Sequence, residues 1–230
     1  MEPTTDRQPG HLRLHQHLKG AYLSFSMTLL SIIQGVVLAA LAAVVVGSYQ
    51  QFTAVNWLMV LATFAAIAVI YLQIAVDVSA LVWIPTLEDA ALPFLIGALE
   101  LFLSYTIDQP LGIWLFGLAA LGALDILAGF YVMQRIQEEP ENGELLPHVR
   151  RYRRGTFPYS AAGAALFLLA AIGDCVSGFK ATGRVQDAWG GAAVAVALLA
   201  VGWVAGYVYR VRAYWRGLIR YARTGHLPRA

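Results

Sequence analysis

Charged residues are scarce in this chain: they fill 13% of its 230 positions, whereas hydrophobic residues fill 59%. A soluble domain carries roughly a quarter charged residues, so a water-soluble core cannot absorb this apolar excess. Alternation at period two is also missing, which excludes a transmembrane β-barrel. Cysteine is reduced to one residue, Cys175. No disulfide can therefore form within the chain, no cysteine-based metal site can assemble, and Cys175 reads as a small apolar packer beside Asp174. Catalytic motifs are missing as well. There is no HExxH, Gly-x-Ser-x-Gly or P-loop, and neither a Tyr-Asp nor a Gly-Leu-Gly-Asp context for an intramembrane aspartyl protease. Asp125 and Asp174 are the only candidate aspartyl pair, and helical rise sets them roughly 14 Å apart in depth, too far to share a proton. An enzyme is not expected, nor is a cofactor.

What is present is a set of six apolar segments, near residues 21–48, 54–77, 87–106, 111–134, 158–179 and 186–209. Each is long enough as a helix to cross the ~30 Å hydrocarbon core. The expected fold is all-α and polytopic: a polar tail over 1–20, a bundle of six transmembrane helices over 21–209, and a basic amphipathic C-terminal helix over 210–230. Orientation follows from Lys and Arg. Fourteen lie in the two tails, the second connection and the 135–157 loop, and only Lys180 and Arg184 lie on the opposite side. That asymmetry puts both termini in the cytoplasm, in what reads as a bacterial inner membrane.

The flanking segments have their own chemistry. His11 and His15 are spaced for one helix face, as a zinc or copper pair would be, but no Cys or carboxylate stands near to complete a site. The connection after span 2 ends at Pro85, with Trp83 suited to anchor it at the interface. Arg150, Arg151, Arg153 and Arg154 close the 135–157 loop after an acidic run. Arg212, Arg216, Arg220 and Arg223 share one face of the C-terminal segment, with Tyr214, Trp215, Leu218, Ile219 and Ala222 opposite. Both sets are candidates for binding anionic lipid head groups. A nucleic-acid role fails, because no domain presents these arginines.

Polar residues inside the spans are few and aligned. Pro93, Gly97, Glu100 and Ser104 recur at i, i+4, i+7 and i+11, a stripe that must face protein or water rather than lipid. Gln34, near the middle of span 1, needs a partner on another helix. Thr86 with Asp89 forms a capping box that starts span 3. Gly122, Asp125 and Gly129 share a face that lets a neighbouring helix approach, and Gly202 with Gly206 matches a small-residue packing motif. Phe25-Ser26 is similar to the motif of bacterial relatives of lysosomal potassium channels, but Met27 stands where that family has Asp.

No Lys, Arg or His lies deep in any predicted span, so the intramembrane charge inventory is acidic only. Carboxylates there cost at least about 2.5 kcal/mol each unless protonated or reached by water or a cation. Gln34, Asp77, Glu88, Asp89, Glu100, Asp125 and Asp174 are accordingly candidate stations of a proton or cation route. The reading they favour is a small channel or transporter subunit for protons or monovalent cations. The alternative is a non-catalytic scaffold or accessory subunit, as a homo-oligomer or with a membrane-protein partner, that uses its basic face to hold anionic lipid.

Overall fold

The computed structural model describes the backbone of residues 10–81, 86–178 and 186–224, and the side chains of 23–81, 86, 88–175 and 192–224. Among these residues the fold is all-helical. The order is α1 (Gly10–Ser48), α2 (Ala54–Ala80), α3 (Leu87–Tyr105), α4 (Leu111–Glu138), α5 (Leu146–Gly178) and α6 (Gln186–Thr224). Five of the six are long and apolar enough to cross a membrane. α3 is not among them, because its 19 residues carry Glu88, Asp89 and Glu100. The His11 and His15 side chains, Trp83, Lys180 and Arg184 lie outside the described residues.

Local chemistry sets the helix starts. Thr53 and Asn56 form a capping box at α2, with the Thr53 N–H donating to Asn56 Oδ1 at 2.9 Å. Asn56 also donates to the Ile107 carbonyl at 2.6 Å, which ties this corner to the end of α3. At α3 the expected box is present, with the Thr86 N–H donating to Asp89 Oδ2 at 2.7 Å. Pro110, which has no N–H to lose, immediately precedes α4.

The main core runs through the bundle and includes Val37, Leu41, Met59, Leu103, Ile107, Trp114 and Phe167. The Trp114 indole N–H is satisfied by Thr63 Oγ1 at 3.0 Å, so its polar edge carries no desolvation penalty. Small residues set the closest helix approaches. A Cβ on Gly97 would strike Ile33 of α1, and one on Gly163 would strike the Trp203 ring of α6. Gly122 and Gly129 do face a neighbour, α5, at Ala164 and Phe157. Gly206 abuts Tyr159, whereas Gly202 faces open space, so the Gly202–Gly206 pair does not work as a packing motif.

Two expectations are corrected at the end of the bundle where α5 begins and α6 finishes. The 135–157 segment is not a loop: α4 runs to Glu138, and α5 begins at Leu146 and continues through Pro158. Pro158 lacks the N–H that would bond the Arg154 carbonyl, and at the next residue the Arg210 guanidinium donates to the Gly155 carbonyl at 3.0 Å. The C-terminal segment is likewise no separate surface helix but the end of α6. Both extensions form because a second apolar cluster holds them: Val76, Leu81, Ile136, Val149, Tyr214 and Leu218 pack together.

Candidate functional site

The extension of α5 carries Arg153 inward. Its buried face repeats every three or four residues through Val149, Arg153, Thr156, Ser160, Gly163, Phe167 and Ala171, and Arg153 is only 3% exposed. Its Nη2 donates to Asp77 Oδ2 of α2 at 2.9 Å, and its Nη1 lies 3.9 Å from Asp125 Oδ1 of α4. The acids are therefore not without a basic partner, as the span boundaries had implied, and Arg153 is not a surface residue facing lipid head groups. Arg150, Arg151 and Arg154, off that buried face, are exposed, as are Arg212, Arg216, Arg220 and Arg223 on α6.

Three tyrosines, a serine and an amide surround the ionic triad. Tyr214 donates to Asp77 Oδ1 at 3.2 Å, Tyr207 to Asp125 Oδ1 at 2.8 Å, and Ser160 to Asp125 Oδ2 at 2.6 Å. The Gln73 amide satisfies its neighbours when its carbonyl accepts from Arg153 Nη1 at 2.8 Å and its NH₂ donates to the Tyr207 hydroxyl at 2.6 Å. Tyr152 stacks on Tyr214, with ring centroids 4.2 Å apart. Each carboxylate thus holds two direct polar partners, yet the charges do not balance. Among the described residues the cluster holds two carboxyl groups and one guanidinium, one positive charge short when both carboxyls are ionised. The hydrogen bonding is incomplete too, because the buried Arg153 Nε–H has no acceptor among the described residues.

The cluster forms one end of a partly open cavity of ≈ 120 Å³ lined by residues from all six helices. Of the two carboxylates Asp125 is the more accessible, with 21% of its side chain exposed against 7% for Asp77. The rest of the lining is mostly apolar, including Phe25, Leu29, Ile70, Pro93 and Leu121, with Asp89 and Tyr131 at one edge. Phe25 of α1 lines the cavity and is 58% exposed. Towards the opposite end the cavity gives way to the main core.

A second polar site sits in that opposite half. Glu100 is fully buried, and Gln34 Nε2 donates to its Oε2 at 2.9 Å. Ser104, also fully buried, donates back to the Glu100 carbonyl at 2.9 Å. The predicted stripe of α3 therefore faces protein, and Gln34 finds its interhelical partner. Gln34 Oε1 and Glu100 Oε1 are both buried without a partner among the described residues. A single proton on Glu100 Oε1 would supply the missing donor in this acid–amide pair.

The other predicted stations are elsewhere. Asp174 accepts from the Gly112 N–H at 2.8 Å, capping the start of α4 at the far end of the bundle. Asp89 lines the cavity, but its carboxylate is engaged by Thr86. Glu88 is exposed. Sequence reasoning missed Gln73, Tyr152, Ser160, Tyr207 and Tyr214 as members of the cluster. A signal for Arg153, Thr156 and Ser160 existed: the helical period of span 5, continued backwards past Pro158, passes through all three.

The chain matches no protein-family model, no curated protein and no solved structure. The functional reading therefore rests on the site itself.

Proposed function

We propose that this protein is a six-span integral membrane protein of the bacterial inner membrane, with cytoplasmic termini, that moves protons or monovalent cations. α3 joins the five apolar helices as a span, its 19 residues covering about 28 Å. Its acidic stripe is tolerated because Glu100 and Ser104 face the bundle interior. The exposed arginines at the end where α5 begins and α6 finishes, Arg150, Arg151, Arg154, Arg212, Arg216, Arg220 and Arg223, agree with the positive-inside orientation and favour contact with anionic head groups there.

One observation carries the reading: the Asp77–Arg153–Asp125 cluster, with Asp77 and Arg153 buried and Asp125 part-buried, is one positive charge short among the described residues and opens on a cavity. Uncompensated charge away from water is costly, so the deficit is filled by a proton or a cation. Arg153 is a tethered cation that holds Asp77 at 2.9 Å and leaves Asp125, at 3.9 Å, free to exchange. When a mobile cation occupies Asp125, the guanidinium turns wholly to Asp77, and the departure of that cation draws it back. Gln34 and Glu100 supply the next proton-holding pair across the apolar core.

The test is ion flux into liposomes holding the purified protein, for protons and potassium separately. Wild-type protein carries one of them, and Asp125→Asn, which removes the exchanging charge, abolishes that flux. Equal flux in the two proteins, both folded, contradicts the proposal. Absence of flux in wild type shifts the weight to a scaffold that uses the arginine face to hold anionic lipid.

A further inference from the structure

The cavity has more apolar wall than a route for bare ions requires. Its volume, ≈ 120 Å³, far exceeds one water and approaches the ~150 Å³ site that accepts benzene in an engineered protein core. Phe25, Leu29, Ile70, Pro93, Leu121 and Trp203 make its walls. Its polar groups are concentrated where Asp77, Asp125, Gln73 and Tyr207 meet Arg153. An occupant that fits both parts has an apolar body of about the size of a benzene ring and a single positive charge.

The geometry points to this cavity as a binding site for a small lipophilic organic monocation, an aryl- or alkylammonium, with its charged head at Asp125 and its apolar body between α1, α3 and α4. The inference rests on the exchange reading above, since the organic cation fills the same one-charge deficit that a proton fills. Charge decides between cationic and anionic occupants. The cluster carries two carboxylates against one guanidinium, and Asp89 adds a third carboxylate at the cavity edge. An anion there would face a net negative wall.

Aromatic faces add to the fit. Trp203 and Tyr207 both line the cavity, with ring centroids 6.0 Å apart. An ammonium beside their rings gains a cation–π attraction that a neutral body of the same shape does not. The unmatched Arg153 Nε–H leaves a donor for a water in the cluster, so the head group need not be fully dehydrated. The route in is also amphipathic. Phe25 forms part of the wall and is 58% exposed, and in a membrane that face of α1 meets lipid, where lipophilic cations collect.

The experiment uses the full chain in nanodiscs of zwitterionic lipid and two probes of one shape, benzylammonium and its uncharged isostere ethylbenzene. Binding is read by calorimetry and by the fluorescence of the tryptophans. The expected result is that the cation binds at least about tenfold more tightly than the isostere and that Asp125→Asn removes this preference. Ala128→Phe, which places a ring in the cavity without altering the charged cluster, should abolish binding of both probes while the protein still unfolds cooperatively. That variant keeps the test valid if Asp125→Asn does not fold. Equal affinity for the two probes, or cation binding unchanged by Ala128→Phe, overturns the inference. Flux measured on the same preparations separates the two claims. Asp125-dependent proton flux without cation binding refutes the organic-cation site alone. Asp125-dependent cation binding without Asp125-dependent flux refutes the exchange reading.

Discussion

Replacing Arg153 by methionine removes the guanidinium that pairs with buried Asp77 and lies beside the part-buried Asp125. Methionine retains an unbranched apolar stem, so the change falls mainly on charge and hydrogen bonding. Asp77 would keep only the Tyr214 hydroxyl at 3.2 Å, and Asp125 would keep Tyr207 and Ser160. Asp77 is 5% exposed, so water cannot take over from the guanidinium. Breaking a buried ion pair by removing one partner costs about 3–5 kcal/mol, because the other charge stays uncompensated. For a chain of this size each kcal/mol moves the melting temperature by roughly 2–4 °C, so the drop should be on the order of 6–20 °C. Thermal unfolding in mild detergent, followed by tryptophan fluorescence at neutral pH, gives the number. The triple change Arg153→Met, Asp77→Asn and Asp125→Asn removes all three charges and should recover most of the loss. If the single variant melts within about 2 °C of wild type, or the triple variant is no better than the single, the ionic cluster is not what holds these helices together.

Other outcomes follow from the same geometry. Glu100→Gln keeps an amide beside Gln34 and should unfold close to wild type, whereas Glu100→Ala strands the buried Gln34 amide and should cost about 1–3 kcal/mol by the same assay. Gly163→Val drives a side chain into the Trp203 ring and should cost about 1–3 kcal/mol, with the loss visible as weakened α5–α6 packing in tryptophan fluorescence. Asp174→Ala removes the cap of α4 and should cost about 0.5–2 kcal/mol without changing ion flux, because it lies far from the cluster.

Much of the fold is legible from apolar run length and turn chemistry. The helix starts at Ala54, Leu87 and Leu111 follow from Thr53 with Asn56, Thr86 with Asp89, and Pro110, all local signals. The stripe on α3 is legible for the same reason: helical spacing alone brings Glu100 and Ser104 to one face, and apolar surroundings force that face inward. The central cluster was hidden because its decisive member lies outside the apolar run. Arg153 belongs to a basic stretch that composition assigns to solvent, and Pro158 reads as a helix start, although the helix passes through it. Only the periodicity of Val149, Thr156 and Ser160 carries the buried face back to Arg153. Tyr207 falls inside the apolar run 186–209, and Tyr214 falls on the face of the C-terminal segment opposite its arginines. Neither assignment says which carboxylate a hydroxyl meets, since that depends on how α2, α4 and α6 pack. Asp174 shows the converse: an acid at the end of a span, counted as a station by type, serves as a helix cap.

The central claim is that the charge deficit at Asp125 is what a moving cation fills. Flux into liposomes holding wild type, Asp125→Asn or Asp174→Ala tests it most directly, with each protein shown to be folded and equally reconstituted. The account predicts proton or potassium flux that falls about tenfold or more in Asp125→Asn, a barrier change of at least ~1.4 kcal/mol, and is unchanged in Asp174→Ala. Flux in Asp125→Asn equal to that of wild type would contradict it.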